Sequence, residues 1–391
     1  MSDPISFRAK LVPSAQKKLL ALDGGGILGA ISIEYLVRIE GLLRKVLKRD
    51  ESFVLADYFD YIAGTSTGAI IATCVALGMP AAEIRQFYHD HGPEMFNPSW
   101  FIERHKYKYT DENLAKMLRD TIDRRTGETE TRFGSEKLRT LLMVVLRNVS
   151  TDSPWPLSNN PVAMYNDPRS KDSNLNLPLW RVVRASTAAP TYFPAEQLPV
   201  GAQPFTFEDG GVTSFNNPAF QLFLMATVHA YNLRWPAGEK KMLLVSVGTG
   251  VAPDVRGYLR PDHFHLLANA RRIPSALMAA ANAQQDFLCR VFGRCVHGAM
   301  IDREIHDMID PEVDDAQVPG GKGPVQPKLF TYARYNPDLT QSAIDELLPG
   351  KGVRAEDVKE MDAVEHIGGM AAIGAAASTR DVEVKHFADF L

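Results

Sequence analysis

Apolar residues fall along the chain in short runs that alternate with longer stretches of helical spacing. Residues 18–23 read KLLALD, a brief apolar run halted by Gly24-Gly25-Gly26, and residues 27–47 then carry apolar positions at intervals of three and four. This predicts a strand, a glycine loop and a helix. A second unit follows, with an apolar and aromatic strand over 58–63, the turn Gly64-Thr65-Ser66-Thr67-Gly68, and a buried helix over 69–77. Repeated strand-to-helix units imply a mainly parallel sheet covered on both faces, a three-layer α/β/α fold. Residues 141–149, 205–208 and 242–248 supply further strands, and 80–123 reads as mostly helical, interrupted at 93–101 by PEMFNPSWF as a loop or lid.

The pattern changes twice. Residues 149–177 are rich in Ser, Asn, Asp and Pro and predict an irregular surface connection. Beyond Gly250, helical stretches around 265–292 and 355–377 flank a Pro/Gly-rich segment, 318–327, read as a mobile loop. The chain of 391 residues is therefore divided into an N-terminal segment 1–17, a core 18–250 and a helical C-terminal region 251–391 with a capping or regulatory role.

Composition removes some classes of function. Hydrophobic residues at 45% and charged residues at 23% are those of an ordinary globular protein, which excludes disorder and fibrous repeats. A net charge of -4 gives no general attraction to a nucleic-acid polymer. Three cysteines and an N-terminus without an apolar signal core point to the cytoplasm. The uncharged run 61–79 approaches the length of a membrane span, but the GTSTG turn within it favours a strand, turn and helix inside a folded core.

The candidate chemistry sits at the strand ends. GTSTG fits G-x-S-x-G, where a sharp turn lifts a serine hydroxyl above the sheet and the next helix points its positive end at the forming alkoxide. Asp23-Gly24-Gly25-Gly26-Ile27-Leu28-Gly29 can converge backbone N–H groups on an anion, as an oxyanion hole requires. The same loop also matches G-x-G-x-x-G, the dinucleotide fingerprint, with Asp50 or Glu51 near the place of a ribose-binding acid. Glu208-Asp209-Gly210-Gly211 puts a carboxylate at a strand end and precedes Asn216-Asn217-Pro218. His89-Asp90-His91 and His263-Phe264-His265 lack the further Cys or His of a zinc site, so no metal is expected. Met95, Phe96, Trp100, Phe101 and Tyr107 with Arg104, Lys106 and Lys108 mix aromatic and cationic groups, as membrane-interface segments, lids and packed helices all do.

Taken together, DGGGILG at 23–29, GTSTG at 64–68, RASTAAPTYFPA at 184–195 and DGG at 209–211 resemble, in order, the motifs of the patatin-like phospholipase family. The resemblance spans about residues 18–250. It implies a hydrolase of fatty-acyl esters in phospholipids or lysophospholipids, acting at the membrane surface without a cofactor. It also implies that Ser66 is the nucleophile, Asp209 its base with no histidine between them, and the amides of Gly24, Gly25 and Gly26 the oxyanion donors. The family usually carries Arg or Lys where this sequence has Leu28; either the backbone amides suffice or another cation such as Arg184 stands in.

Three rival readings share these residues: a Ser-His-Asp esterase using Ser66, a nicotinamide dehydrogenase built on the Gly24–Gly29 loop, and a nucleotide-binding sensor without hydrolase activity. The C-terminal region supplies Arg271, Arg272, Gln284, Gln285, Arg290, Tyr332, Arg334 and Tyr335, able to stack on bases and pair with phosphates. The general layout, with residues 141–161, resembles the patatin-like effectors of bacterial antiphage signalling. That likeness implies a cyclic dinucleotide activator held by Arg334 and Tyr332, and a homo-oligomer.

Overall fold

In the computed structural model, residues 6–96, 107–190, 193–252, 273–302, 304–309 and 325–391 are described, without the side chains of 107–113 and 273–274. Nine strands join one sheet: β1 (Lys17–Leu22), β2 (Tyr61–Thr65), β3 (Leu141–Asn148), β4 (Ser153–Ser158), β5 (Glu196–Val200), β6 (Gln203–Asp209), β7 (Met242–Val247), β8 (Arg294–His297) and β9 (Thr331–Tyr335). Their order is β5-β6-β3-β2-β1-β7-β9-β8, with β4 also paired to β3. The pairs β1/β2, β1/β7, β2/β3, β7/β9 and β8/β9 are parallel. The pairs β3/β4, β3/β6 and β5/β6 are antiparallel.

Successive residues of a strand point to opposite faces, so a strand buried at every position has both faces covered. That holds for β2, β7 and β9 and for nearly all of β1. The fold is thus the three-layer α/β/α arrangement expected from the continuous apolar runs. Helix α1 (Phe7–Leu11) lies before the sheet, and α2 (Gly29–Val46) and α3 (Leu55–Tyr58) link β1 to β2. The strand expected from 58 begins at Tyr61, because 55–58 closes into that short helical turn, with Asp57 accepting from the Val54 amide. Helix α4 (Thr67–Ala76) is buried along its whole length, as a helix apolar all round must be. Helices α5 (Ala81–Met95), α6 (Tyr107–Thr126), α7 (Leu179–Ser186) and α8 (Ala219–Thr227) follow.

The C-terminal region adds more than helices. Besides α9 (Ile273–Phe292), α10 (Gln341–Leu347) and α11 (Ile367–Asp381), it contributes β8 and β9 to the same sheet. Helix α11 packs along α2, and the last residues reach back to the first strand, with Gln16 Nε2 donating to the Asp389 carbonyl at 2.6 Å. Among the described residues no helix is long and apolar enough to cross a membrane. The run 61–79 is β2, the turn and α4.

Candidate active site

Strand β2 ends at Thr65 and α4 starts at Thr67, so one residue makes the whole turn. Ser66 adopts φ 55°, ψ −124°, a conformation that costs energy outside glycine and persists only where its surroundings enforce it. The flanking glycines permit the turn: a Cβ on Gly64 would lie 2.1 Å from the Gly68 carbonyl oxygen. The Ser66 amide donates to Ser186 Oγ at 3.0 Å, and that hydroxyl donates to the Val145 carbonyl at 2.6 Å. Thr65 Oγ1 donates to the Phe215 carbonyl at 2.7 Å.

The register of β3 explains how Asp209 reaches this turn from 143 residues away. Residues 143–148 of β3 pair with β4 along one edge. The other edge is shared, with β2 covering 141–145 and β6 covering 146–148. Strand β2 runs parallel to β3 and β6 runs antiparallel, so the two approach head-on. Thr65 stops opposite Val145 and Asp209 opposite Leu146, one position apart. Ser66 Oγ donates to Asp209 Oδ2 at 2.6 Å.

Asp209 is 4% exposed, and its second oxygen, Oδ1, accepts from the Gly211 amide at 2.7 Å. Burial pushes its carboxyl up to about 6, while the Ser66 hydroxyl, the Gly211 amide and the charge of Arg184 hold it back. Arg184 is itself fully buried, its guanidinium carbon 5.0 Å above the Phe193 ring. An aspartate so placed is a far better proton acceptor near neutrality than a solvated one. Among the described residues no histidine hydrogen-bonds to Ser66 or Asp209.

The glycine loop lies against the serine: a Cβ on Gly24 would sit 3.2 Å from Ser66 Cβ. Its amides divide into two pairs. The Gly24 amide donates to the Asn216 carbonyl at 3.1 Å and the Ile27 amide to the Met361 carbonyl at 2.9 Å. Among the described residues neither the Gly25 nor the Gly26 amide donates to a protein acceptor. Gly26 has φ +59°, and a Cβ there would meet the Met361 carbonyl oxygen at 2.2 Å. Two backbone donors are therefore left for an anion, not three. The expectation for Gly24 is corrected: its N–H is consumed, and its carbonyl accepts from Thr249 Oγ1 at 3.2 Å, so it fixes the loop.

The C-terminal contact residues are also corrected. Tyr332 and Arg334 lie on β9, at 0% and 3% exposure, and present no surface to a nucleotide. Tyr332 donates its hydroxyl to Asp286 at 3.0 Å, and Arg334 grips both oxygens of Asp23 at 2.9 and 2.5 Å. Arg290 is bound to Asp286 and to the Ala299 and Asp307 carbonyls. Leu28 is buried, so nothing cationic stands at that position. His263, His265, Arg271, Arg272, Trp100, Phe101, Arg104, Lys106 and most of 318–327 lie outside the described residues. The sequence reading assigned no part to Ser186, Asn216 or Thr249, although Ser186 lay within the quoted RASTAAPTYFPA and Asn216 was quoted beside DGG.

The chain was also compared with known proteins. A family model described as "Patatin-like phospholipase" matches residues 20–223. Patatin-17 of Solanum cardiophyllum is 31% identical over 255 residues, 60% of this chain and 61% of the relative. Patatin-15 of Solanum tuberosum is 30% identical over 249 residues, 59% of this chain and 60% of the relative. This chain thus spans about three-fifths of the length of these curated relatives. The crystal structure of VipD from Legionella pneumophila covers 92% of this chain and 67% of its own at 13% identity and a TM-score of 0.34, too slight a likeness to bear on the chemistry.

Proposed function

Since the chain belongs to the patatin-like phospholipase family, we propose that it is a serine acyl hydrolase cleaving fatty-acyl esters of phospholipids or lysophospholipids at a membrane surface. The observation that carries this reading is the 2.6 Å hydrogen bond from Ser66 Oγ to the buried Asp209, beside two uncommitted loop amides.

The geometry supports a two-step reaction. Ser66 Oγ attacks the ester carbonyl carbon as its proton passes to Asp209 Oδ2. The carbonyl oxygen becomes an oxyanion facing the Gly25 and Gly26 amides, with the positive end of α4 behind the serine. Collapse breaks the bond to the leaving alcohol, which takes the proton from Asp209 and departs. Water then attacks the acyl-serine, giving its proton to Asp209, and the second collapse frees the fatty acid and returns the proton to Ser66. Every proton passes through one carboxylate, which is why burial of that carboxylate matters.

A fluorophosphonate probe and a fatty-acyl ester assay test the proposal directly. Wild-type protein should be labelled at Ser66 and should turn over the ester. Ser66→Ala and Asp209→Asn should each lower turnover by about 10⁴-fold or more, and the double variant should be no worse than either, because the pair acts as one unit. Near-normal turnover in Asp209→Asn would transfer the base to another residue and reopen the histidine reading.

A further inference from the structure

Asp23 and Arg334 stand 311 residues apart and meet inside the protein. Asp23 is the residue between β1 and the glycine loop, and its amide donates to the Val247 carbonyl at 3.1 Å. Its carboxylate receives Arg334 Nη1 at 2.9 Å and Nη2 at 2.5 Å, and Nη1 also donates to Ser246 Oγ at 2.7 Å. The Arg334 and Asp23 side chains are 3% and 1% exposed, respectively. A guanidinium presenting two parallel N–H groups fixes the orientation of a carboxylate as well as its position. The next residue in the chain is Gly24, followed at once by the two amides with no protein acceptor. On the far side the loop is tied at Ile27 to the Met361 carbonyl. Glycines offer no side chain by which to be held, so the stretch is aimed by the backbone bonds of Gly24 to Asn216 and Thr249 and by what holds its two ends.

We infer that Arg334 is a positioning residue for the reaction: through its bidentate grip on Asp23 it sets the direction of the Gly25 and Gly26 amides. The inference rests on the hydrolase reading for its catalytic part and on geometry alone for its positioning part. A strand of the C-terminal region thereby belongs to the catalytic apparatus, although it touches no substrate. An oxyanion donor acts mainly in the transition state, so a misdirected loop lowers kcat and leaves KM nearly alone.

The experiment uses the full-length protein and two changes, Arg334→Lys and the double variant Arg334→Met with Asp23→Asn. The double variant removes both buried charges, so it leaves neither one unpaired. Hydrogen exchange of peptides spanning 23–29 is followed together with kcat and KM. We expect exchange at 23–29 to accelerate by about tenfold or more while β2 and α4 stay protected, and kcat to fall by about 10²–10³-fold in the double variant, the loss typical of one oxyanion donor. Arg334→Lys, with its charge but not its fork, should fall between. Unchanged exchange at 23–29, or faster exchange with unchanged kcat, would overturn the proposal. So would loss of protection across the whole sheet in both variants, which would make the pair a requirement of folding only. If wild-type protein neither hydrolyses ester nor takes the fluorophosphonate while the 23–29 response appears as expected, the hydrolase reading falls and the positioning role stands.

Discussion

Asp209 shows how one residue's surroundings set its chemistry and its cost. Its carboxyl is raised from 3.8 to about 6 by burial, so the folded state holds a proton at pH values where the unfolded chain has lost it. Stability from this group is present at low pH and is lost as pH rises from about 4 through 6. On the mechanism proposed above activity moves the opposite way, because there Asp209 must be ionised to take the proton of Ser66. We therefore expect kcat/KM to fall about tenfold per pH unit below pH 6 in an ester assay that holds substrate aggregation constant. Asp209→Asn removes the buried charge and keeps an oxygen for the Gly211 amide. It should be inactive yet more stable at pH 7 by about 1–3 kcal/mol in urea unfolding. An inactive variant that is markedly less stable would show that the carboxylate is structural. That Ser66 and Asp209 should meet was legible only through the family resemblance of four motifs in order, since GTSTG and DGG are each common as plain turns; the structure brings the two side chains to 2.6 Å. Arg334 was legible only as an arginine beside aromatics, a pattern shared by a solvent-facing ligand site and a buried strand.

At the scale of elements, what could be read depended on how deeply each strand is enclosed. Strands β1, β2, β3 and β7 lie inside the sheet and show as apolar runs. Four others were not foreseen. Strand β4 contains Pro154 and Pro156, each lacking an N–H for the ladder, and proline argues against an interior strand; among the described residues β4 pairs only with β3. Among the described residues strand β5 pairs only with β6, and β8 is four residues long beside β9. Strand β9, TYARY, breaks its apolar run with an arginine whose partner is 311 residues away. The serine turn gives the sharpest test at this scale. A Cβ on Gly68 would lie 2.3 Å from the Leu22 carbonyl oxygen, where β1 and α4 approach. Backbone cannot rotate aside as a side chain can, so Gly68→Ala should cost about 3–4 kcal/mol in chemical denaturation and weaken fluorophosphonate labelling of Ser66. An alanine variant of wild-type stability would mean that the two elements can part freely at this point.

The whole molecule does not divide where its motifs end. The last recognisable motif lies before residue 250, which suggested a core of 18–250 and a helical C-terminal region that caps or regulates it. Yet β7 pairs with β9 over five residues, and β9 in turn carries β8. Cutting after 250 would uncover the edge of a strand buried at all its positions and remove α11 from α2. Such an edge is a template for aggregation. A fragment of residues 18–250 should therefore be insoluble, or lack a cooperative urea transition followed by circular dichroism. A soluble fragment with a sharp transition would restore the two-part division.

The pairing of Asp23 with Arg334 also bears on how the protein comes into being. The ribosome makes the glycine loop first and its guanidinium partner 311 residues later. At about 5–20 residues per second, synthesis of the intervening chain takes roughly 15–60 s. Once residue 209 has been made the nascent polypeptide holds Ser66, Asp209 and its glycines, but not yet the group that aims the loop. On the hydrolase reading proposed above, the chain therefore gains its full activity only after Arg334 has been made. Stalled nascent chains ending short of Arg334 should therefore take the fluorophosphonate more slowly than the full-length protein.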